Sequence, residues 1–481
     1  MAVFLIAVLD APAGEKTPPV TDATILETIA TCQEFDSRIP WRKKPPHIRQ
    51  ALGVVIEGNY ILTVESIARN STLIEIRRAK TGTKLEAKAI VSDEQVGIAL
   101  LKIIDDNAVS RLKSVPIADQ VKRNDLVTIV KLDKSGQLQS DEGQVIEVTS
   151  SPRGLLFKVL TDLSIEKNGT PVFIGNKLAG ITVRYDKSTQ TCTALSGTTL
   201  KQIVSAAMTP PYRGIAWAGL IWEPLLDPVK REHLGISEQK GGILVVRTAP
   251  GSGAATVLQT EDVITEIDGY KIDEMGYYTD PDFRRLLFSH IINGRHMPGE
   301  NASLTIIRNR QKITVKLPLK RQSDVAQLIP GNKSGAQNEY LADGGMILRE
   351  LTADYLRAAG SKWILQINPR LVNYYFNPWQ FSTKEGEHIV ILSMVLPDQI
   401  NIGYHEYRDE VVTAVNGENI HRLDDVFRVV DRDGGLKRFT LMGNGVDLVL
   451  NEKEMPAANK RIAANYRIPS LRHQRSQSND K

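Results

Sequence analysis

The turn "SIEKNGTP" (164–171) stands between two apolar runs, "GLLFKVLTD" and "PVFIGNKLAGITV". A tight glycine-containing turn between strands can present a nucleophile beside backbone N–H groups that stabilise a developing oxyanion. The residue at its tip is Asn168, whose amide nitrogen is not a useful nucleophile. A Ser–Lys dyad built on Lys167 or Lys177 would need a serine at the tip, and the nearest is Ser164. The usual base for hydroxyl activation at neutral pH is an imidazole. The eight histidines are 47, 233, 290, 296, 388, 405, 421 and 473, so none lies between residues 48 and 232. His47 precedes the "GVVIEG" strand and sits in the wrong place to serve. The two cysteines, Cys32 and Cys192, form neither a disulfide framework nor a metal-ligand cluster, and no metal or cofactor is expected.

The elements that would carry this turn are short strands. From about residue 20 to 205, "GVVIEGNYILTV", "STLIEIRR", "KLEAKAIVS", "IALLKII", "DLVTIVKL", "EGQVIEVTS" and "KLAGITVRY" recur with turn signals between them. Strands at that spacing predict an all-β barrel or sandwich. A helix is expected at "TTLKQIVSAA", and "TPPYRG" reads as a break.

A length of 481 residues allows about three domains at roughly 100–200 residues each. A net charge of +4 is too weak for nucleic acid to be the main ligand. Basic residues gather only in the tail, at Lys460, Arg461, Arg467, Arg472 and Arg475, which reads as a solvated segment. No apolar run approaches the ~18 residues of a membrane span. At the N-terminus "AVFLIAVL" and the small-x-small triplet Ala11-Pro12-Ala13 read as a signal segment with a clipped basic region, implying export to a periplasmic or similar compartment. The alternative is an ordinary first strand.

The second half repeats itself. "DVITEIDG" (262–269) matches "EVVTAVNG" (410–417) position by position. Each is preceded by a strand with a proline, "GGILVVRTAPGSGAA" and "EHIVILSMVLPDQI". Each is followed by an amphipathic stretch read as helix, "PDFRRLLFSHI" and "HRLDDVFRVVD", and by a final strand pair. Two copies of one order imply two copies of one domain. The polar stretch "RQSDVAQLIPGNKSGAQNEY" between them reads as a linker.

The repeat resembles the PDZ domain, closely in "GGILVVRTAPGSGAATVLQTEDVITEIDG" and more weakly in the second copy. A β-barrel region followed by two PDZ domains resembles the HtrA/Deg serine proteases, and the second copy looks most like the plant-type Deg branch. That resemblance implies a mainly β fold: a chymotrypsin-like double β-barrel (20–207), a first PDZ domain (213–322), a linker (323–340), a second, atypical PDZ domain (341–456) with an insertion at 352–385, and a basic tail (457–481). Residues 1–19 would be the processing segment.

Three landmarks of the family fall in order. "GVVIEGNYILTVESIA" resembles the segment that holds the catalytic histidine, and places Ser66 there. "VGIALLKI" resembles the segment that holds the aspartate, and places Gly97 there. "TDLSIEKNGTPVF" resembles the nucleophile segment, two residues short, and places Asn168 at the serine. A serine hydroxyl is no general base, and glycine has no side chain to orient one. Glu166 stands where the family has an oxyanion-hole glycine, and its carboxylate would oppose the intermediate's charge.

The PDZ resemblance implies peptide capture by strand addition, with a C-terminal carboxylate held in a backbone nest. In the first copy Trp217, Ala218, Gly219 and Leu220 would form the loop, and Phe283, Leu286 and Leu287 the helix side of the groove. In the second copy Gly344, Gly345, Met346 and Ile347 correspond. The function expected is that of a pseudoprotease: a peptide-binding, chaperone-like or scaffold protein recognising C-termini or unfolded segments. The alternatives are an active serine endopeptidase in protein quality control and a structural partner of an active paralogue. Trimer-based homo-oligomers are what the resemblance implies.

Overall fold

The computed structural model describes residues 21–475 apart from 22, 79–81, 106, 108, 109, 111, 134–136, 166–168, 237–240, 323–326, 383, 433, 434 and 444–446. The expected processing segment, 1–19, lies outside the described residues. The protein is mainly β and divides into two compact units, one of residues 1–29, 50–68 and 74–212, the other of residues 30–49, 69–73 and 213–481.

The first unit is built on two closed barrels. Strands β1 (Ile25–Cys32), β2 (His47–Ile56), β3 (Tyr60–Val64), β4 (Ser71–Arg77), β5 (Lys84–Asp93) and β6 (Ile98–Ile103) close in the order β1-β2-β3-β6-β5-β4. Strands β7 (Leu126–Leu132), β8 (Leu138–Ser151), β9 (Gly154–Leu160), β10 (Pro171–Ile174), β11 (Lys177–Asp186) and β12 (Thr191–Ser196) close as β7-β8-β9-β12-β11-β10, the same topology used twice. Closure removes the free edges that so many short strands would otherwise expose. The alternation seen in the sequence becomes the barrel wall: Val127, Ile129, Val145, Phe157, Val159 and Ala194 point inward and are buried. A helix at Gly197–Ala207 follows, its first turn capped by the Ser196 hydroxyl.

In the second unit the first repeat forms a sheet from β13 (Leu220–Pro224), β14 (Ile243–Thr248), β15 (Val263–Ile267), β16 (Tyr270–Lys271), β19 (Asn301–Arg308) and β20 (Gln311–Pro318), ordered β13-β14-β15-β19-β20 with β16 on β15. The stretch "PDFRRLLFSHI" is not the expected helix. It supplies the second half of a hairpin, β17 (Tyr277–Asp280) with β18 (Arg284–Leu287), and only then a helix, Ser289–Arg295. The reason is local. The buried Asp280 carboxylate accepts hydrogen bonds from the Asp282 and Phe283 amides, from Tyr278 Oη at 2.7 Å and from Arg295 at 2.7 Å. Burial alone would raise its pKa, but these donors hold it below the ordinary aspartate value and pin the hairpin turn.

The second repeat follows the same order. Strands β22 (Met346–Glu350), β23 (Val390–Val395), β24 (Glu410–Val415), β25 (Glu418–Asn419), β26 (Leu436–Leu441) and β27 (Asp447–Asn451) correspond one to one. The helix expected at "HRLDDVFRVVD" is present at Leu423–Val430, burying Leu423, Val426, Phe427, Val429 and Val430 on the sheet. Two further strands extend this sheet beyond β22: β21 (Tyr340–Asp343) and then β28 (Arg472–His473).

Two expectations are corrected. The stretch read as a linker is not solvated throughout: Leu328 and Ile329 are buried with Tyr355, Leu356, Leu371 and Tyr374 under the insertion, and Tyr340 begins a strand. The tail is structural as well. The helix Met455–Asn465 buries Ala458 and Ile462, and β28 closes the sheet.

Candidate functional site

In the first unit the strand ends carrying Ser66 and Gly97 meet, and the turn at Gly169 approaches the same place. Ser66 is exposed, in the single helical turn Glu65–Ala68 that ends β3. Gly97 lies in the turn entering β6, and its carbonyl accepts from the Glu65 N–H at 3.0 Å. Gly169 is turned toward the same strand end, where a Cβ would stand 3.1 Å from Val64 Cγ1. Its N–H donates to Thr182 O at 2.8 Å, fixing the turn against β11. Asn168 and Glu166 themselves lie outside the described residues.

The buried carboxylate of this turn is Asp93. It accepts from the Val96 amide at 2.9 Å and from Tyr212 Oη at 2.6 Å. Those donors satisfy it as a structural turn-former, and the chain from 48 to 232 holds no imidazole for it to orient. Both cysteines are free and buried, and their environment disfavours the thiolate. Cys192 is buried and burial pushes its thiol up to about 12, and burial raises Cys32 too.

The second candidate region is the leading edge of each sheet in the second unit. In the first repeat, β13 is the edge strand: it pairs with β14 from Leu220↔Thr248 to Pro224↔Ile243, and no described strand lies on its other side. Gly219 precedes it with φ +75°, a conformation other residues adopt only at a cost. The Gly219 carbonyl accepts from the Ala249 N–H at 2.7 Å and from Ser252 Oγ at 3.2 Å. A Cβ on Gly219 would collide with Ser252 Cβ. Substituting this glycine therefore disturbs the turn itself.

Of the residues expected on the helix side, Leu286 is a buried member of β18, while Phe283 and Leu287 are half-buried in the hairpin. None lies on a helix, because Asp280 has made that segment a hairpin. The aromatic that meets β13 is Phe288, edge-on to Trp222 at 5.2 Å. It was missed because the periodic reading of 281–291 ran through it.

The loop before β13 has a neighbour from the second repeat's insertion. Trp379 lies tilted against Trp217 at 5.9 Å, and its carbonyl accepts from Arg247 of β14 at 3.3 Å. Glu385 packs on Gly251, in the loop that holds the Gly219 carbonyl.

The matching edge of the second repeat is covered. Gly345 has φ +85°, and its carbonyl accepts from the Leu396 N–H at 2.7 Å, the same arrangement as Gly219 with Ala249. But Gly344 and Gly345 form the two-residue turn of a hairpin in which Asp343 pairs with Met346, Ala342 with Ile347 and Leu341 with Leu348. The amide of Gly344 donates to Asn459 Oδ1 at 2.7 Å, and its carbonyl accepts from Asn401 Nδ2 at 2.7 Å. Met346 and Ile347 are fully buried. The expected peptide contacts at Gly345, Met346 and Ile347 are thus occupied by the chain's own β21, itself backed by β28 and by Trp41 at 5.7 Å from Tyr340. The signal was present: "YLADGGMILRE" is Gly-Gly flanked by apolar runs, a hairpin signature.

A family model for the PDZ domain matches residues 329–476. Among curated relatives, the putative protease Do-like 3, mitochondrial, of Arabidopsis thaliana is 26% identical over 405 residues, covering 82% of this chain and 69% of the relative. The protease Do-like 2, chloroplastic, of the same plant is 25% identical over 484 residues, covering 95% of this chain and 77% of the relative. Among solved structures, an HtrA-type protease AlgW with tripeptide aligns with a TM-score of 0.49 at 17% identity, over 63% of this chain and 95% of that chain.

Proposed function

We propose that this chain, a homologue of the Deg/HtrA proteases with a PDZ domain in its C-terminal region, no longer hydrolyses peptide bonds and acts by binding polypeptide. One observation carries the first half. The Glu65–Gly97 backbone bond and the approach of Gly169 to Val64 support reading these strand ends as the former site, where the sequence has Ser66, Gly97 and Asn168. An amide nucleophile, a missing orienting acid and a missing imidazole leave no route for proton transfer from an attacking hydroxyl. Restoring a serine alone, Asn168→Ser, is expected to leave it inactive for the same reason.

For the second half, the open edge of β13 supports peptide addition in the first repeat, with Trp217, Ala218, Gly219 and Leu220 at the carboxylate end and Trp222 and Phe288 alongside. The ligand class is an extended C-terminus or an unfolded segment. The compartment proposed is one outside the cytosol, supported by the apolar N-terminal run and by plant relatives described as mitochondrial and chloroplastic.

The test is incubation of the purified, monodisperse protein with casein and, separately, with a fluorophosphonate probe. Neither turnover nor labelling is expected. Casein cleavage that persists in Asn168→Ala would place a working site elsewhere and sink the proposal.

A further inference from the structure

The insertion of the second repeat has an inner and an outer face. The inner face, Leu356, Ile367, Leu371 and Tyr374, is buried against the sheet. The outer face is apolar too. Leu365 is 84% exposed, Phe376 56% and Ile364 48%, three large apolar side chains within thirteen residues of one another. Trp363 lies flat on Phe376 at 6.0 Å and meets Tyr375 edge-on at 5.3 Å, so the aromatics form a stiff platform behind the two exposed aliphatic residues. Exposed apolar side chains backed by an aromatic cluster are a common mark of an interaction surface.

The charge around it is one-sided. From 355 to 384 the chain holds Arg357, Lys362, Arg370 and Lys384 and no aspartate or glutamate. Lys362 immediately precedes the apolar turn, and both it and Arg357 are exposed. The flanking acids are engaged elsewhere: Asp354 pairs with Arg69 at 3.2 Å, and Glu385 packs on Gly251.

From these observations we infer that this face docks on an anionic lipid bilayer, lying in its interface without crossing it. Exposed aliphatic residues beside Trp, Tyr and Phe, with exposed Arg357 and Lys362 near them in an acid-free stretch of chain, suit the boundary between headgroups and acyl chains. The aliphatic tips leave water, and the basic residues add attraction to a negative surface that salt weakens. An unfolded polypeptide or a second copy of the chain would bury the same apolar tips. Neither requires thirty acid-free residues around them.

The full chain would be co-sedimented with vesicles of phosphatidylcholine alone and of phosphatidylcholine and phosphatidylglycerol in equal parts. Binding to the anionic vesicles is expected, with little to the neutral ones, and it should weaken as salt is raised. Leu365→Glu, on a side chain that supports nothing in the core, should lower binding at least about tenfold. Lys362→Glu should lower it less, and Leu365→Trp should preserve it. Circular dichroism and the melting temperature should match across the set. Failure of the wild-type chain to bind anionic vesicles at low salt overturns the inference. So does unchanged binding by Leu365→Glu, or equal binding to neutral vesicles. If light scattering shows Leu365→Glu dissolving an oligomer while vesicles stay unbound, the patch joins copies of the chain instead. Capture of unfolded casein through the patch without vesicle binding overturns it equally.

Discussion

The two sheets of the second unit are one design with two outcomes. Strand order is the same, and a positive-φ glycine precedes the leading strand in each. The glycine carbonyl accepts an amide at 2.7 Å in each, from Ala249 and from Leu396. The loop is therefore no guide to binding. What differs is the chain beyond it. The first sheet stops at β13, whereas the second continues through Gly344-Gly345 into β21, and β28 seals the result. Strand addition needs unpaired N–H and C=O groups along an edge. In the second repeat those groups are already paired within the chain.

The comparison breaks most visibly at the two glycines. Gly345→Ala is expected to cost about 3 kcal/mol of stability, from positive φ and from a Cβ driven into Asn401 Nδ2 and the Leu396 carbonyl. Backbone is one of the obstacles, so adding Asn401→Gly should not restore it. Gly219→Ala meets the Ser252 side chain first, so adding Ser252→Gly should recover much of its loss. Thermal unfolding of the four variants measures this. Rescue at Gly345, or none at Gly219, would mean the two turns are not held as described.

Acid should separate the repeats next. His290 is buried in the first repeat, and burial brings its pKa down to about 4. Its folded pKa lies below the unfolded value near 6.5, so the unfolded chain binds the proton more readily. The stability it secures is whole above pH ~6.5 and is lost as pH falls toward 4. Between pH 7 and pH 5 the loss is about 2 kcal/mol. Amide exchange should show it in β13–β20 before β22–β27, and His290→Phe should flatten the profile. Equal acid sensitivity in both sheets, or none in the first, would contradict it.

The smallest effect concerns access to the open edge. Trp379 lies on Trp217 beside the loop that would receive a peptide terminus. Trp379→Ala should remove about 1 kcal/mol of competing contact and tighten peptide binding about fivefold, measured by isothermal titration. Weaker binding in the variant would make Trp379 part of the peptide site instead of its cover.

Much of this protein follows from local sequence. Period-two alternation gives the barrel strands, the match of "DVITEIDG" to "EVVTAVNG" gives the duplicated sheet, and the amphipathic stretch 421–431 gives its helix. The missing histidine between 48 and 232 is a fact of composition that no folding can reverse. Other features were settled only by contacts between residues far apart in the chain. "PDFRRLLFSHI" has helical periodicity, but Asp280 meets Arg295 fifteen residues on, and their buried pair favours a hairpin. Gly344-Gly345 reads equally as a carboxylate loop or a hairpin turn, because both need positive φ. What decides is Asn459, 115 positions away, accepting the Gly344 amide, with Arg472 and His473 returning to pair with β21. A sequence fixes which backbone conformations each residue tolerates. Whether an edge strand is left open depends on where a distant segment of the chain comes to rest, because an unpaired row of amides takes whichever strand reaches it.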